Sequence, residues 1–204
     1  MSEATVLYLV RHGESEANAA GVFAGQTDSP LTARGRAQAA AVAAALARLP
    51  IDRVVASDLS RTRDTAAAIA TLHGLTVETH PELREIDVGA AAGKRWDDGT
   101  LRPGPLGAPG AEFDGFVQWP GGESLEQTLA RSLGCLDRLV RAHPGELIVV
   151  VGHGGVTRIL VSHFLGILPR LERGPATNTN VTIVRFAGGR YTVEQLFGDA
   201  HVAD

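Results

Sequence analysis

Val6-Leu7-Tyr8-Leu9-Val10 is an unbroken apolar run that stops at Arg11-His12-Gly13-Glu14, and Leu147-Ile148-Val149-Val150-Val151 is a second that stops at Gly152-His153-Gly154-Gly155. Short β-branched runs without polar alternation predict strands covered on both faces, as in a parallel sheet. Weaker strands are predicted at Arg53 to Ala56, Thr76 to Thr79, Val181 to Phe186 and Tyr191 to Leu196. Ala187-Gly188-Gly189-Arg190 separates the last two in the manner of a hairpin turn.

Helical stretches lie between these runs. Thr32 to Arg48 is alanine-rich, with Thr32 as N-cap and Pro50 beyond its end; Thr62 to Leu72 is closed by Gly74; Ser124 to Ala142 and Gly155 to Leu165 complete the set. Strands alternating with helices predict an α/β three-layer sandwich, a mostly parallel central sheet with helices on both faces. With 204 residues, one domain spanning 1–204 is expected, long enough to bury a core without disulfides. The stretch 88–122 departs from the pattern: it is rich in glycine and proline and holds both tryptophans, Trp96 and Trp119. A loop of this length inside a compact domain is expected to be a lid over a functional site.

Composition excludes several classes. The net charge of −4, from 23 acidic against 19 basic residues, offers no field for nucleic acid. No apolar run approaches the ~20 residues needed to span a bilayer. Met1-Ser2-Glu3-Ala4-Thr5 lacks the basic start of a signal peptide, so a cytoplasmic address and no membrane partner are expected. Cys135 is the single cysteine, which excludes an intramolecular disulfide and reads as a small filler on a helix. Lys94 is the single lysine; the arginines that make up the rest are planar, bidentate donors suited to phosphate.

In open α/β sheets, ligands bind beyond the carboxyl ends of the strands. If the two strong strands are parallel neighbours, Arg11, His12 and His153 converge on one crevice, and the glycine after each histidine lets backbone N–H groups approach a ligand. Ser57-Asp58-Leu59-Ser60-Arg61-Thr62 leads from a strand into a helix, which puts Arg61 near a helix N-terminus; dipole and guanidinium there both favour an anion. Glu85, in Leu83-Arg84-Glu85-Ile86-Asp87-Val88-Gly89, is a candidate general acid. His73, His80, His143, His163 and His201 carry no motif and read as surface or packing residues.

Taken in order, Arg11-His12-Gly13-Glu14 with Asn18, Gln26-Thr27-Asp28-Ser29-Pro30-Leu31-Thr32, the Ser57 to Thr62 segment, Glu85-Ile86-Asp87-Val88-Gly89, Pro120-Gly121-Gly122-Glu123-Ser124 and Gly152-His153-Gly154-Gly155 resemble the histidine phosphatase superfamily, the phosphoglycerate mutase-like group, on its phosphatase side. The resemblance implies that His12 is a nucleophile forming a phosphohistidine. Arg11, Arg61 and His153 would complete the catalytic cluster, Asn18 and Gly154 would join them around the phosphoryl group, and Glu85 would protonate the leaving alcohol and deprotonate water. Gln26 and Thr27 would line the substrate side, and Asn180 is either a rim or a turn residue. A nucleophilic imidazole must be neutral, and its other nitrogen should donate to a backbone carbonyl near Gly13. Glu85 in turn needs a partly desolvated setting.

The implied activity is metal-independent, cofactor-free hydrolysis of a small phosphorylated metabolite by a monomer or homodimer. The alternatives are a cofactor-dependent phosphoglycerate mutase and a non-catalytic phospho-ligand binder. Retention of His12, Glu85 and His153 argues against the binder. The mutases carry a longer middle insertion with paired arginines, whereas here that region has Lys94, Arg95 and Arg102. Ala90-Ala91-Ala92-Gly93-Lys94 stands where many phosphatases of the family read Glu-Gly-Leu-Thr, a departure that bears on substrate identity. Trp96, Trp119, Phe113 and Phe116 either pack the lid down or line an apolar leaving-group pocket, packing being the preferred reading, and Asp97, Asp98 and Arg95 read as a solvated surface.

Overall fold

The two apolar runs become adjacent parallel strands, and the rest of the fold is arranged around that pair. The computed structural model describes residues 3–98, 118–172, 174 and 177–199. Its elements are β1 (Thr5–Arg11), α1 (Glu16–Ala20), α2 (Ala33–Leu46), β2 (Arg53–Ala56), α3 (Ser60–His73), β3 (Val77–Thr79), α4 (Leu125–Ala142), β4 (Leu147–Gly152), α5 (Gly154–Phe164), β5 (Val181–Ala187) and β6 (Arg190–Gly198). The sheet order is β3-β2-β4-β1-β5-β6. β1 and β4 are in parallel register from Val6 opposite Leu147 to Arg11 opposite Gly152, so His12 and His153 leave the sheet side by side. β2 lies parallel to β4 and β3, while β5 runs antiparallel to β1 and turns back into β6. Gly188 and Gly189 make that turn at φ of 57° and 78°, a left-handed pair that glycine adopts without strain.

The unbroken apolar runs are explained by burial on both faces. Leu7, Leu9, Ile148 and Val150 pack against Leu136, Leu139 and Val140 of α4 and Val156 and Leu160 of α5. Their alternating neighbours Val10, Val149 and Val151 pack on the opposite face against Val42 and Leu46 of α2 and Ala66 and Ile69 of α3. Successive residues from Leu7 to Val10 and from Leu147 to Val151 thus feed the two helical layers in turn. Cys135 is a buried filler within the first layer. Among the described residues no helix is long and apolar enough to cross a membrane.

Local capping accounts for the element boundaries. Thr32 caps α2 through Gly35 N–H at 2.9 Å, and Ser124 and Gln127 form a reciprocal capping box on α4. α3 begins at Ser60, before the predicted Thr62, because Asp28 reaches across to accept both the N–H and the hydroxyl of Ser60 at 2.8 Å. The five-residue α1, absent from the sequence reading, is too short for hydrophobic periodicity and is held by a Ser15–Asn18 capping box. Of the expected lid, residues 88–98 and 118–122 are described; Arg102, Phe113 and Phe116, together with His201, lie outside the described residues.

The turn after β1 lies directly on the start of α2. A Cβ on Gly13 would come within 2.3 Å of the Gly35 carbonyl oxygen, and one on Gly35 within 2.0 Å of the Glu14 carbonyl oxygen. Both collisions are with backbone, so neither is relieved by a rotamer change. Gly35→Ala is therefore expected to lower stability by about 1–3 kcal/mol through displacement of α2 from the loop. Chemical denaturation checks this, and an unchanged midpoint would refute it.

Candidate active site

His12 is the first residue beyond β1 and is only 4% exposed. Its Nδ1 lies 2.7 Å from the Gly13 carbonyl, which can only accept, so Nδ1 carries the hydrogen and Nε2 keeps the lone pair. This is the tautomer expected from the sequence. Asn178 donates to the His12 carbonyl at 3.0 Å, and Gly13 N–H donates to Thr65 Oγ1 at 3.1 Å, so the turn is held from two sides. Burial first, then Arg11 and Arg61, hold the imidazole well below its ordinary range, against the opposing pull of the Gly13 carbonyl. His12 is thus a neutral imidazole of fixed tautomer, the form that a nucleophile requires.

The groups around it come from three elements. Arg11 ends β1; its backbone N–H donates to Asn180 O at 3.1 Å and its carbonyl accepts from Thr179 N–H at 3.1 Å. Asn180, left open as a rim or turn residue, therefore acts through its backbone in seating Arg11. Arg61, in the first turn of α3, is 1% exposed and donates to Thr27 O at 3.0 Å and Gly25 O at 2.8 Å. His153 caps α5 and is fully buried, its ring meeting that of His12 edge-on at 5.2 Å between centroids. Burial first, then Arg61, His12 and Arg11, holds its pKa well below the ordinary value.

Glu85 is half-buried, a partly desolvated setting, and its carboxylate accepts from Ile86 N–H at 2.9 Å and Gly155 N–H at 3.1 Å. A Cβ at Gly155 would fall 2.6 Å from Glu85 Oε1, which is why this position is glycine. The loop bearing Glu85 is clamped by Arg131 of α4. That guanidinium donates to the carbonyls of Glu82, Arg84 and Glu85 at 2.7, 2.7 and 3.0 Å and to both oxygens of Glu123 at 2.6 and 2.7 Å. Glu123 also accepts Asp87 N–H at 2.9 Å, which gives the Pro120–Ser124 motif its structural purpose.

Beside these groups lies a cavity of about 320 Å³, the size of a small-molecule site; His153, fully buried, stands behind His12 and is not among its lining residues. Arg11, His12, Asn18, Arg61, Glu85 and Gly154 line it, as do Val22, Phe23, Val88, Trp96 and Trp119. Asn18 Oδ1 is engaged by Ser15 N–H and Asn178 Nδ2, both at 3.2 Å, so its amino group is what it offers the cavity. Phe23 and Trp119 meet edge-on at 5.1 Å. Both tryptophans, read from the sequence as packing, thus belong to the cavity wall. Gln26 and Thr27 are not among the lining residues; Gly25 and Ala24 take that place, and Thr27 contributes the carbonyl that holds Arg61.

Four contributors were not singled out in the sequence: Asn178, Thr65, Arg131 and Arg158. Thr65 had a signal, since it sits four residues after Arg61 and shares its helix face. Arg158 lines the cavity and donates to Gly174 O at 2.8 Å, and it lies one turn along α5 from Gly154. Among the described residues no group of histidine, cysteine and acidic side chains could hold a metal ion.

Similarity to known proteins agrees with this geometry. The family model for the histidine phosphatase superfamily (branch 1) matches residues 7–198. The chain is 34% identical to a metal-independent phosphoserine phosphatase of Arabidopsis thaliana, over 99% of this chain and 85% of that one. It is 38% identical to a probable phosphoglycerate mutase of Cronobacter sakazakii, over 82% and 78% of the two chains. A mycobacterial glucosyl-3-phosphoglycerate phosphatase superposes with a TM-score of 0.81 at 26% identity, covering 97% of this chain and all of that one. A match that runs from the first core residue of β1 to the last residue of β6, with relatives aligned over nearly the whole chain, makes this protein a member of the histidine phosphatase superfamily, branch 1.

Proposed function

We propose that this phosphatase hydrolyses a small phosphomonoester that also carries a carboxylate, with His12 as nucleophile and Glu85 as general acid and base. The observation that carries the reading is the His12 Nδ1 bond to Gly13 O, which presents a bare Nε2 at a cavity bordered by Arg11 and Arg61. Nε2 attacks phosphorus as the ester P–O bond breaks, and the departing oxygen takes a proton from Glu85. The carboxylate then removes a proton from water, whose oxygen attacks phosphorus; the N–P bond breaks and His12 returns to its starting form. Arg11, Arg61, His153 and the Asn18 amide offset charge on the equatorial oxygens, and Gly154 leaves room for Arg11, whose Nε would lie 3.4 Å from a Cβ there.

The substrate class rests on Arg158 and on the cavity wall. Phosphoserine and glucosyl-3-phosphoglycerate, named for two similar proteins, both bear a carboxylate. A guanidinium beyond the phosphoryl clamp suits such a group. The described ends of the 88–122 segment supply Val88, Trp96 and Trp119 to the wall, and this segment selects the leaving group in the proposed reading.

The test is turnover without added metal on phosphoserine, 3-phosphoglycerate and p-nitrophenyl phosphate. Arg158→Ala is expected to raise KM for the carboxylated esters by about tenfold or more while leaving the aryl ester within about twofold. Equal effects on both would sink the carboxylate assignment. Phosphate exchange between the hydroxyls of phosphoglycerate, dependent on bisphosphoglycerate, would favour the mutase reading instead. Arg131→Ala frees the loop carrying Glu85, and a displacement of about 1 Å there is expected to lower kcat by roughly 10²-fold, more than it changes KM. An unaltered kcat with the fold intact would show that Glu85 does not depend on the clamp.

A further inference from the structure

The hydroxyl protons behind His153 can be placed one by one. Thr62 Oγ1 lies 2.7 Å from Leu59 O and 3.0 Å from Ser57 O, and carbonyls only accept, so its single proton points at them. Ser57 Oγ lies 2.7 Å from that same oxygen and must spend its own proton there. Ser57 then has only lone pairs for His153 Nε2, 2.8 Å away, so Nε2 bears a hydrogen. The opposite assignment would set Thr62 lone pairs against a carbonyl at 2.7 Å. Ser57, Thr62 and His153 are each fully buried, so bulk water does not rearrange the chain. A neutral His153 therefore has a bare Nδ1, and this atom is buried without a hydrogen-bond partner among the described residues.

A bare nitrogen repels an anion and cannot donate to it. The groups facing this ring are Arg61 from α3, Arg11 and His12 from the end of β1, Arg131 from α4, and Ser57 after β2. Glu85 approaches the same helix start through Gly155 N–H. The cations and burial keep the empty-site ring uncharged, and a phosphoryl dianion beside His12 reverses that balance. We propose that Ser57 and Thr62 are positioning residues that lock His153 with its hydrogen on Nε2, so that Nδ1 takes up a proton when a tetrahedral dianion enters the site. This rests on the phosphatase reading for the identity of the anion. The second histidine thereby acquires a defined role, entering the reaction cycle as a cation only while phosphate is present.

Sulfate tests this, because it stays doubly ionised through the neutral range and any proton taken up goes to the protein. Calorimetry at pH 7.5 in buffers of different ionisation enthalpy is expected to give uptake of about one proton per sulfate. Nitrogen-15 imidazole spectra are expected to show His153 with a protonated Nε2 and bare Nδ1 in the empty protein, and both protonated with sulfate. Thr62→Val removes the acceptor for the Ser57 proton, which turns to Nε2; the hydrogen moves to Nδ1 and proton uptake falls by about half or more. Thr62→Ser restores both signatures. Should the valine variant not fold, Ser57→Ala removes the acceptor of the Nε2 hydrogen, and the single Nε2-protonated signature is expected to give way to a mixture of the two neutral tautomers. A protonated Nδ1 in the empty wild type, no sulfate binding, no proton uptake, or an unchanged tautomer in the variants would overturn the proposal. Turnover of an aryl phosphate with the wrong tautomer refutes only this inference; the right tautomer with no turnover refutes only the phosphatase reading.

Discussion

His12→Ala is expected to cut aryl phosphate hydrolysis by at least about 10⁴-fold, because it removes the atom that bonds to phosphorus in the proposed mechanism and leaves only the binding cluster. The fold should survive, since the side chain lies outside the β1 core and its backbone bonds to Gly152 and Asn178 remain. Circular dichroism and a retained denaturation midpoint separate lost chemistry from lost structure. Rapid quenching of the wild type under alkaline conditions, where a phosphohistidine persists, should place label on the peptide containing His12. Residual turnover within about tenfold of wild type would remove His12 from the nucleophile role.

The pH dependence follows from the same burial. In the proposed mechanism His12 reacts only when neutral, and its pKa lies well below the ordinary imidazole value of 6.5. The acid limb of the rate profile should therefore fall below that value. Stability has the matching sign: below 6.5 the unfolded chain binds protons that buried His12 and His153 refuse, so the folded state loses stability as pH drops.

Glu85→Gln should separate the two halves of the reaction. The amide keeps the shape and can still accept from Gly155 N–H, but it carries no exchangeable acid proton. Alkyl phosphates, whose leaving oxygen needs that proton, should lose roughly 10²–10⁴-fold in turnover. p-Nitrophenolate leaves unaided, so phosphorylation of His12 by the aryl ester should survive while attack by water slows. The expected record is a burst of nitrophenol close to one per active site, followed by a slow steady state. A parallel loss of burst and steady state would mean that Glu85 holds the site together and does not transfer protons.

Much of this architecture was legible in the chain. The runs at Val6–Val10 and Leu147–Val151 lack polar alternation because every residue in them after Val6 packs against one of two helical layers, and that is a constraint on composition. Thr32 and Ser124 announced their helices because a cap must offer a side-chain oxygen. His12, Arg61 and His153 were readable as candidates because each sits in a short local motif at the end of a strand or the start of a helix, and Glu85 because its loop carries a family motif. α1 was not, since five residues held by one capping box leave no periodic trace.

What holds those residues in place was beyond the reach of sequence. Arg131 contacts the Glu85 loop from 46 residues away, and Asn178 reaches His12 across 166. A lone arginine or asparagine has no local pattern that reports such a partner, because the contact is made by packing α4 and the β5 approach against the strand ends. The two tryptophans were assigned to packing for the same reason: only the folded chain brings Trp96 and Trp119 to the wall of the His12 cavity. Sequence alone thus determined the sheet, its burial and the chemical types at its carboxyl edge, since these follow from local hydrophobicity and motif. Tertiary structure alone decided what clamps Glu85 and which hydroxyls stand behind His153, because such contacts depend on every partner within reach, wherever in the chain it lies.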